Sequence, residues 1–191
     1  VLALGAAVRP YVDGRPDHPV VLVAFEDASA YATWAGRRLP TEAEWERAAR
    51  GGLDGAEYAW GDELAPGGRL MANTWQGRFP YLNEGWGGTS PVGSYAPNAY
   101  GLLDLVGNTW EWTVDTFTPR HVVPGTRGPD AGTRPNLLAP TTSPQVMRVT
   151  KGGSHLCAPE YCRRYRPAAR SPQSDDSATT HLGFRCAADA G

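Results

Sequence analysis

Lys151-Gly-Gly-Ser-His-Leu-Cys157-Ala-Pro-Glu-Tyr-Cys162-Arg-Arg-Tyr-Arg166 is the stretch around which the chain reads most economically. It holds two of the three cysteines, a glycine pair ahead of them and four cationic side chains close by. Cys157 and Cys162 stand five residues apart. That separation points the two side chains away from each other on a helix and to opposite faces on a strand. Their sulfurs meet only if the backbone between them turns. Pro159 favours a turn, because it fixes its own φ and steers the residue before it away from helix. Gly152 and Gly153 allow backbone to approach the turn closely.

A dithiol turn has three readings: a structural disulfide, a redox-active pair, or a two-thiolate metal site. Structural zinc wants four ligands, and no C-x2-C or H-x3-H spacing recruits His155 or Cys186 to complete such a set. Two soft thiolates suit Cu(I), which accepts few ligands and prefers sulfur. Lys151, Arg163, Arg164 and Arg166 are candidates for keeping the sulfurs ionised. Spacing alone leaves all three readings open.

Working outward, 191 residues suffice for a single domain with a core of its own. The net charge of −2 is mixed along the chain and gives no electrostatic case for nucleic acid or an anionic membrane. No apolar run is long enough to span a bilayer. Three cysteines are too few for a disulfide scaffold. With 23 glycines, 17 prolines and 7 tryptophans, the composition points to a loop-rich fold packed by aromatic side chains.

Upstream, Pro19-Val-Val-Leu-Val23 reads as a short buried strand. Residues 25–35 read as a helix with Ala28, Tyr31, Ala32 and Ala35 on one face and Gly36 as its stop. Thr41 and Glu44 form a capping box that starts a second helix, running through Trp45, Ala48 and Ala49 to Gly51-Gly52. From Tyr58 the regular signal fades. Ala72-Asn-Thr-Trp-Gln-Gly77, Asn83-Glu84-Gly-Trp-Gly-Gly88 and Leu102-Leu-Asp104-Leu-Val-Gly107-Asn-Thr109-Trp-Glu111-Trp112 mix glycines and aromatics with side-chain oxygens. Such loops suit Ca²⁺, which takes carboxylate, amide and carbonyl oxygens in irregular cages. Each of these residues taken alone is equally a turn-former. Residues 117–145 form a Pro/Gly-rich connection. Residues 146–150 read as a strand leading into the dithiol turn, and 181–186 as a closing strand.

These motifs together resemble the formylglycine-generating enzyme family, the sulfatase-modifying oxidases, in an actinobacterial form. The match rests on Arg38-Leu-Pro-Thr-Glu-Ala-Glu-Trp-Glu46, Ala72–Gly77, Val106-Gly-Asn-Thr-Trp-Glu-Trp112, Gly152-Gly-Ser154, the cysteine pair, Arg164-Tyr-Arg166 and Leu182-Gly-Phe-Arg-Cys186. It covers nearly the whole chain, and the paired cysteines after Gly-Gly-Ser are its specific part. The resemblance implies one domain over 1–191 with an irregular α+β fold, distantly C-type-lectin-like and poor in regular secondary structure. It implies a Cu(I) site on Cys157 and Cys162, with Ser154, Tyr161 and Trp110 completing the catalytic set. The implied substrate is a cysteine in a C-x-P-x-R segment of an unfolded sulfatase, oxidised to formylglycine with O2 and a thiol reductant. No nucleic-acid or membrane partner is implied.

The resemblance also implies two structural Ca²⁺ sets. Asn73 and Glu84 with carbonyls of Thr74 and Trp86 form the first; Asp104 and Glu111 with carbonyls of Gly107 and Thr109 form the second. A preceding family segment with a Gly-Gly-x-Phe-x-Met-Gly motif is missing, so the chain is expected to be the C-terminal part of a longer protein. His181 replaces a usual Asn; Pro167 replaces a cysteine that secreted members bridge, which points to a bacterial cytoplasmic setting. Two other classes stand beside the oxidase. A calcium-held, non-catalytic module of the same superfamily would lack the paired cysteines. An iron sulfoxide synthase would need a histidine cluster, whereas His18, His121, His155 and His181 are scattered.

Overall fold

The structure is a computed structural model; it describes residue 11 and residues 13–119 and 145–189. Most of the Pro/Gly-rich 117–145 segment, and His121, lie outside the described residues. The regular elements are few. Helix α1 spans Phe25–Trp34 and α2 spans Glu42–Arg50. A four-stranded sheet is built from β1 (Trp110–Thr116), β2 (Met147–Lys151), β3 (Ser171–Ser174) and β4 (Leu182–Gly183). Its order is β3-β2-β1-β4, antiparallel except for the β1–β4 pair. This agrees with an irregular, loop-rich α+β fold.

Both helices form where their end signals stand. Thr41 Oγ1 accepts from Glu44 N at 3.2 Å, and Thr41 N donates to the Glu44 carboxylate at 2.9 Å. Together these satisfy two of the orphan amides at the start of α2. Gly51 ends the helix in the left-handed region at φ 56°. In α1 the expected face is half right: Ala28 and Ala32 are buried, whereas Ala35 is exposed and so is Tyr31, which lies edge-on to Phe184 at 5.5 Å.

Three strand expectations needed correction. Residues 19–23 are not a strand; Leu22 sits at φ 62°, which no β-ladder tolerates, and of the run only Val21 is buried. The closing strand shrinks to Leu182–Gly183. The end of the 102–112 segment, read as loop, instead opens β1, the central strand.

Aromatic packing stands in for the missing regular structure. Trp45 and Trp112 are fully buried beside Tyr58 and Tyr165, with Tyr58 and Tyr165 stacked at 6.0 Å and Phe25 set edge-on to Trp112 at 5.8 Å. The indole N–H of Trp112 donates to the Val23 carbonyl and that of Trp45 to the Glu111 carboxylate. Both buried indoles thus keep their one polar atom satisfied. Behind the sheet lies an ionic knot. Lys151 Nζ, fully buried, stands 3.1 Å from Glu46 and 3.6 Å from Glu42, which also pairs with Arg170 at 2.7 Å.

Sheet register fixes where the dithiol turn begins. Glu111 pairs with Lys151 across β1 and β2, and Trp110 pairs with Leu182 across β1 and β4. The end of β2, the start of β1 and the 181–183 segment therefore meet at one place, and the turn leaves from there.

Candidate functional site

Gly152 and Gly153 follow β2 at φ 94° and 72°. A Cβ on Gly152 would stand 2.8 Å from the Leu105 carbonyl, and one on Gly153 would stand 2.9 Å from the Tyr165 amide. Both contacts are closer than a methyl group tolerates, so the sequence can pass this point only as glycine. Past them the chain folds back on itself: Cys157 N donates to the Ser154 carbonyl, and Tyr161 N and Cys162 N both donate to the Ala158 carbonyl. The turn expected around Pro159 is present. Trp75 N fastens it from outside by donating to the Cys157 carbonyl at 3.0 Å.

The turn brings Cys157 Sγ and Cys162 Sγ to 3.0 Å. This is far beyond the ~2.05 Å of a disulfide, and both thiols are free and buried. They share a proton. The hydrogen bond to Cys162, together with burial, pushes the Cys157 thiol up; the same bond, aided by Arg164, holds Cys162 below the usual thiol range. The two thiols therefore titrate as a pair, the first proton leaving more readily than the second.

Of the four flanking cations, only Arg164 acts on the sulfurs. Its guanidinium is fixed by Ser171 Oγ at 2.9 Å and lies 5.8 Å over the Trp110 ring. Lys151 belongs to the ionic knot, and Arg163 and Arg166 pair with Glu57.

The remaining catalytic candidates divide. Ser154 is fully buried and its amide bonds to the Cys157 sulfur; its Oγ accepts from Leu156 N at 3.3 Å, which leaves the hydroxyl hydrogen free to donate. Trp110 is buried beside Arg164. Tyr161 is 71 % exposed and stacks on Phe79 at 4.6 Å, so its ring faces outward beside the turn. Trp75 packs edge-on to Phe79 at 5.1 Å and continues the aromatic row. Phe79 had no signal of its own in the sequence, because the contact that recruits it joins distant segments.

Residues 5–190 match the sulfatase-modifying factor enzyme 1-like domain. The chain belongs to the sulfatase-modifying factor family. It is 64 % identical over 180 residues to a formylglycine-generating enzyme of Mycobacterium tuberculosis, covering 92 % of this chain and 58 % of that one. It is 52 % identical over 190 residues to one from Streptomyces coelicolor, covering 95 % and 56 % respectively. The chain therefore spans somewhat more than half the length of these relatives. It is also 44 % identical over 179 residues to an inactive Cα-formylglycine-generating enzyme 2 of Mus musculus, covering 91 % and 50 %. Among solved structures it superposes on CarF with a TM-score of 0.63 at 23 % identity, covering 92 % of this chain and 69 % of that one. PvdO from Pseudomonas aeruginosa follows at 0.60 and 24 %, covering 88 % and 61 %. These two likenesses speak to the fold alone.

In this family member the two calcium sets differ in geometry. Asn73, Thr74, Glu84 and Trp86 line one open cavity of about 420 Å³. The Asn73 amide group already donates to the Gly88 and Asn108 oxygens, which turns its own oxygen toward an acceptor role. An oxygen-seeking cation fits there. In the second set, both Glu111 oxygens are forked by Arg185 at 2.6 Å and one also accepts from Trp45. Asp104 takes the Gly93 amide at 2.7 Å, and its carboxyl is pushed up by burial. As arranged, that set spends three Glu111 lone pairs on Arg185 and Trp45 and leaves one on Oε1. Among the described residues no three His, Cys, Asp or Glu side chains converge as a metal-binding group, so nothing there completes a structural zinc site around the dithiol.

Proposed function

We propose that this chain is the dithiol-bearing part of an oxidase that converts a cysteine of sulfatases to formylglycine. The observation that carries the reading is the pair of free, buried thiols at 3.0 Å on a fixed turn, in a chain similar over most of its length to enzymes named for that product. The paired cysteines also favour it over the non-catalytic reading.

In chemical terms, a cysteine thiol group plus water becomes an aldehyde plus hydrogen sulfide, two protons and two electrons. Reducing O2 to water consumes four electrons, so a thiol reductant supplies the other two. Cys157 and Cys162 would hold Cu(I), whose soft character suits them; when bound it would supply O2 activation. The rest falls to the chain. The turn keeps both sulfurs in place without a bridge. Arg164 balances their charge while ordering Trp110. Ser154 gives its amide to the Cys157 sulfur and holds its hydroxyl beside the turn by accepting from Leu156 N. The exposed Tyr161–Phe79 stack offers an apolar platform for a client polypeptide. The Asn73–Glu84 cavity would hold a structural Ca²⁺, and a bacterial cytoplasmic setting suits free thiols.

The test is aldehyde formation on a Leu-Cys-Thr-Pro-Ser-Arg peptide, followed by mass. Cys157→Ser and Cys162→Ser are each expected to lose it by roughly 100-fold or more. Undiminished turnover in either variant refutes the assignment.

A further inference from the structure

The loop from Trp75 to Glu84 supplies nothing to the sulfurs themselves, yet it grips the dithiol turn from outside at two points. Trp75 N donates to the Cys157 carbonyl at 3.0 Å. The Phe79 ring lies flat on that of Tyr161, with 4.6 Å between centroids and 14° between planes. Cys157 opens the turn and Tyr161 stands next to Cys162. The two grips therefore bracket the stretch that carries both sulfurs.

The loop can bear on the turn because it is itself closed. Glu84 N donates to the Gln76 carbonyl at 2.8 Å, and Tyr81 N and Leu82 N both donate to the Arg78 carbonyl at 2.9 Å. Gly77 sits at φ 96°, and a Cβ there would stand 2.9 Å from the Leu82 carbonyl, so a glycine is what lets the loop shut. That same carbonyl takes the Trp75 indole N–H at 3.0 Å. Trp75 in turn sets its ring edge-on to Phe79, 5.1 Å away at 74°. Phe79 is thus held by Trp75 on one side and holds Tyr161 on the other.

Tyr161 needs such a hold. Its side chain is 71 % exposed, and an exposed side chain on a turn samples several staggered rotamers unless a neighbour selects one. One aromatic stack shifts such a population by roughly 2- to 12-fold. A contact face held in place before its partner arrives loses less conformational freedom when the partner binds. We infer that Phe79 is a positioning residue: through its stack it presets Tyr161 as the face on which a client polypeptide rests beside the sulfurs. The inference takes the client's identity from the oxidase reading. Phe79 acts on how tightly the client is held, and it does so only through Tyr161.

The experiment is equilibrium binding of a fluorescein-labelled Leu-Ser-Thr-Pro-Ser-Arg peptide to the full chain, read by anisotropy, with folding checked by near-UV circular dichroism. Serine replaces the reactive cysteine in this probe, so no turnover is needed. Phe79→Ala is expected to weaken binding about 3- to 10-fold, and Phe79→Tyr, which keeps the stack, to restore it. Tyr161→Ala is expected to lose at least as much, and F79A/Y161A no more than Y161A alone, because the two residues act as one. With the cysteine peptide, F79A is expected to raise KM by the same factor, the larger part of its effect lying there and not in kcat. A folded F79A that binds the probe as the parent does overturns the inference, and leaves the oxidase reading intact wherever aldehyde still forms. An F79A effect that adds in full to that of Y161A also overturns it, since that is the mark of a merely structural loop. A parent chain that binds the probe through Phe79 and Tyr161 but forms no aldehyde supports this inference and sinks the oxidase reading. A parent chain that does not bind the probe overturns the inference outright.

Discussion

Gly152 carries much of the geometry, because its place in the fold leaves no room for even one more carbon. It combines φ 94° with a would-be Cβ contact of 2.8 Å to the Leu105 carbonyl and 3.1 Å to the Trp45 ring. Gly152→Ala is expected to lose about 3 kcal/mol of stability from backbone strain and overpacking together. Urea unfolding measures it, and an unchanged midpoint would contradict this packing. The requirement was legible in the sequence as a glycine pair before the cysteines. The outward placement of Tyr161 was not, since it depends on Phe79 more than eighty residues earlier in the chain. Nor was the Arg185 fork on Glu111, since it joins residues 74 positions apart in the chain.

At the level of elements, the helices were readable because their signals are local. Thr41, Glu44 and Gly51 do in the structure what their residue types dictate. The central strand was unreadable for the opposite reason. Its first four residues, Trp110, Glu111, Trp112 and Thr113, are all buried, so no alternation marks it. Its polar members are satisfied only by distant partners, Arg185 for Glu111 and the Val149 carbonyl for Thr113. The α2 cap makes a pH prediction. A hydrogen bond from Arg38 and another from the Thr41 amide hold the Glu44 carboxyl at about 2. A carboxyl depressed on folding stabilises the native state above its unfolded value, near about 4.3, and loses that contribution as pH falls toward 2. Glu44→Gln is expected to flatten the pH dependence of the melting temperature between about 4.5 and 2. Because Glu44 is nearly half exposed, the effect is a modest one. A variant whose acid profile superposes on that of the parent would show that the pair contributes nothing.

On the scale of the whole molecule, buried aromatic rings and ionic knots do the work that large sheets do elsewhere. Among the described residues, four short strands and two α-helices hold only part of the chain. Trp45 links α2 to Glu111 on β1, and Lys151 links β2 back to Glu46 on α2. The dithiol turn hangs from this junction with its sulfurs fixed and unbridged. The claim that these sulfurs are a metal-ready pair is tested most directly by X-ray absorption at the copper edge, after one equivalent of Cu(I) has been added to the anaerobic protein. Two sulfur neighbours, lost together in C157S/C162S, are the predicted result. A first shell of nitrogen or oxygen alone, or a sulfur signal that persists in that variant, would contradict it.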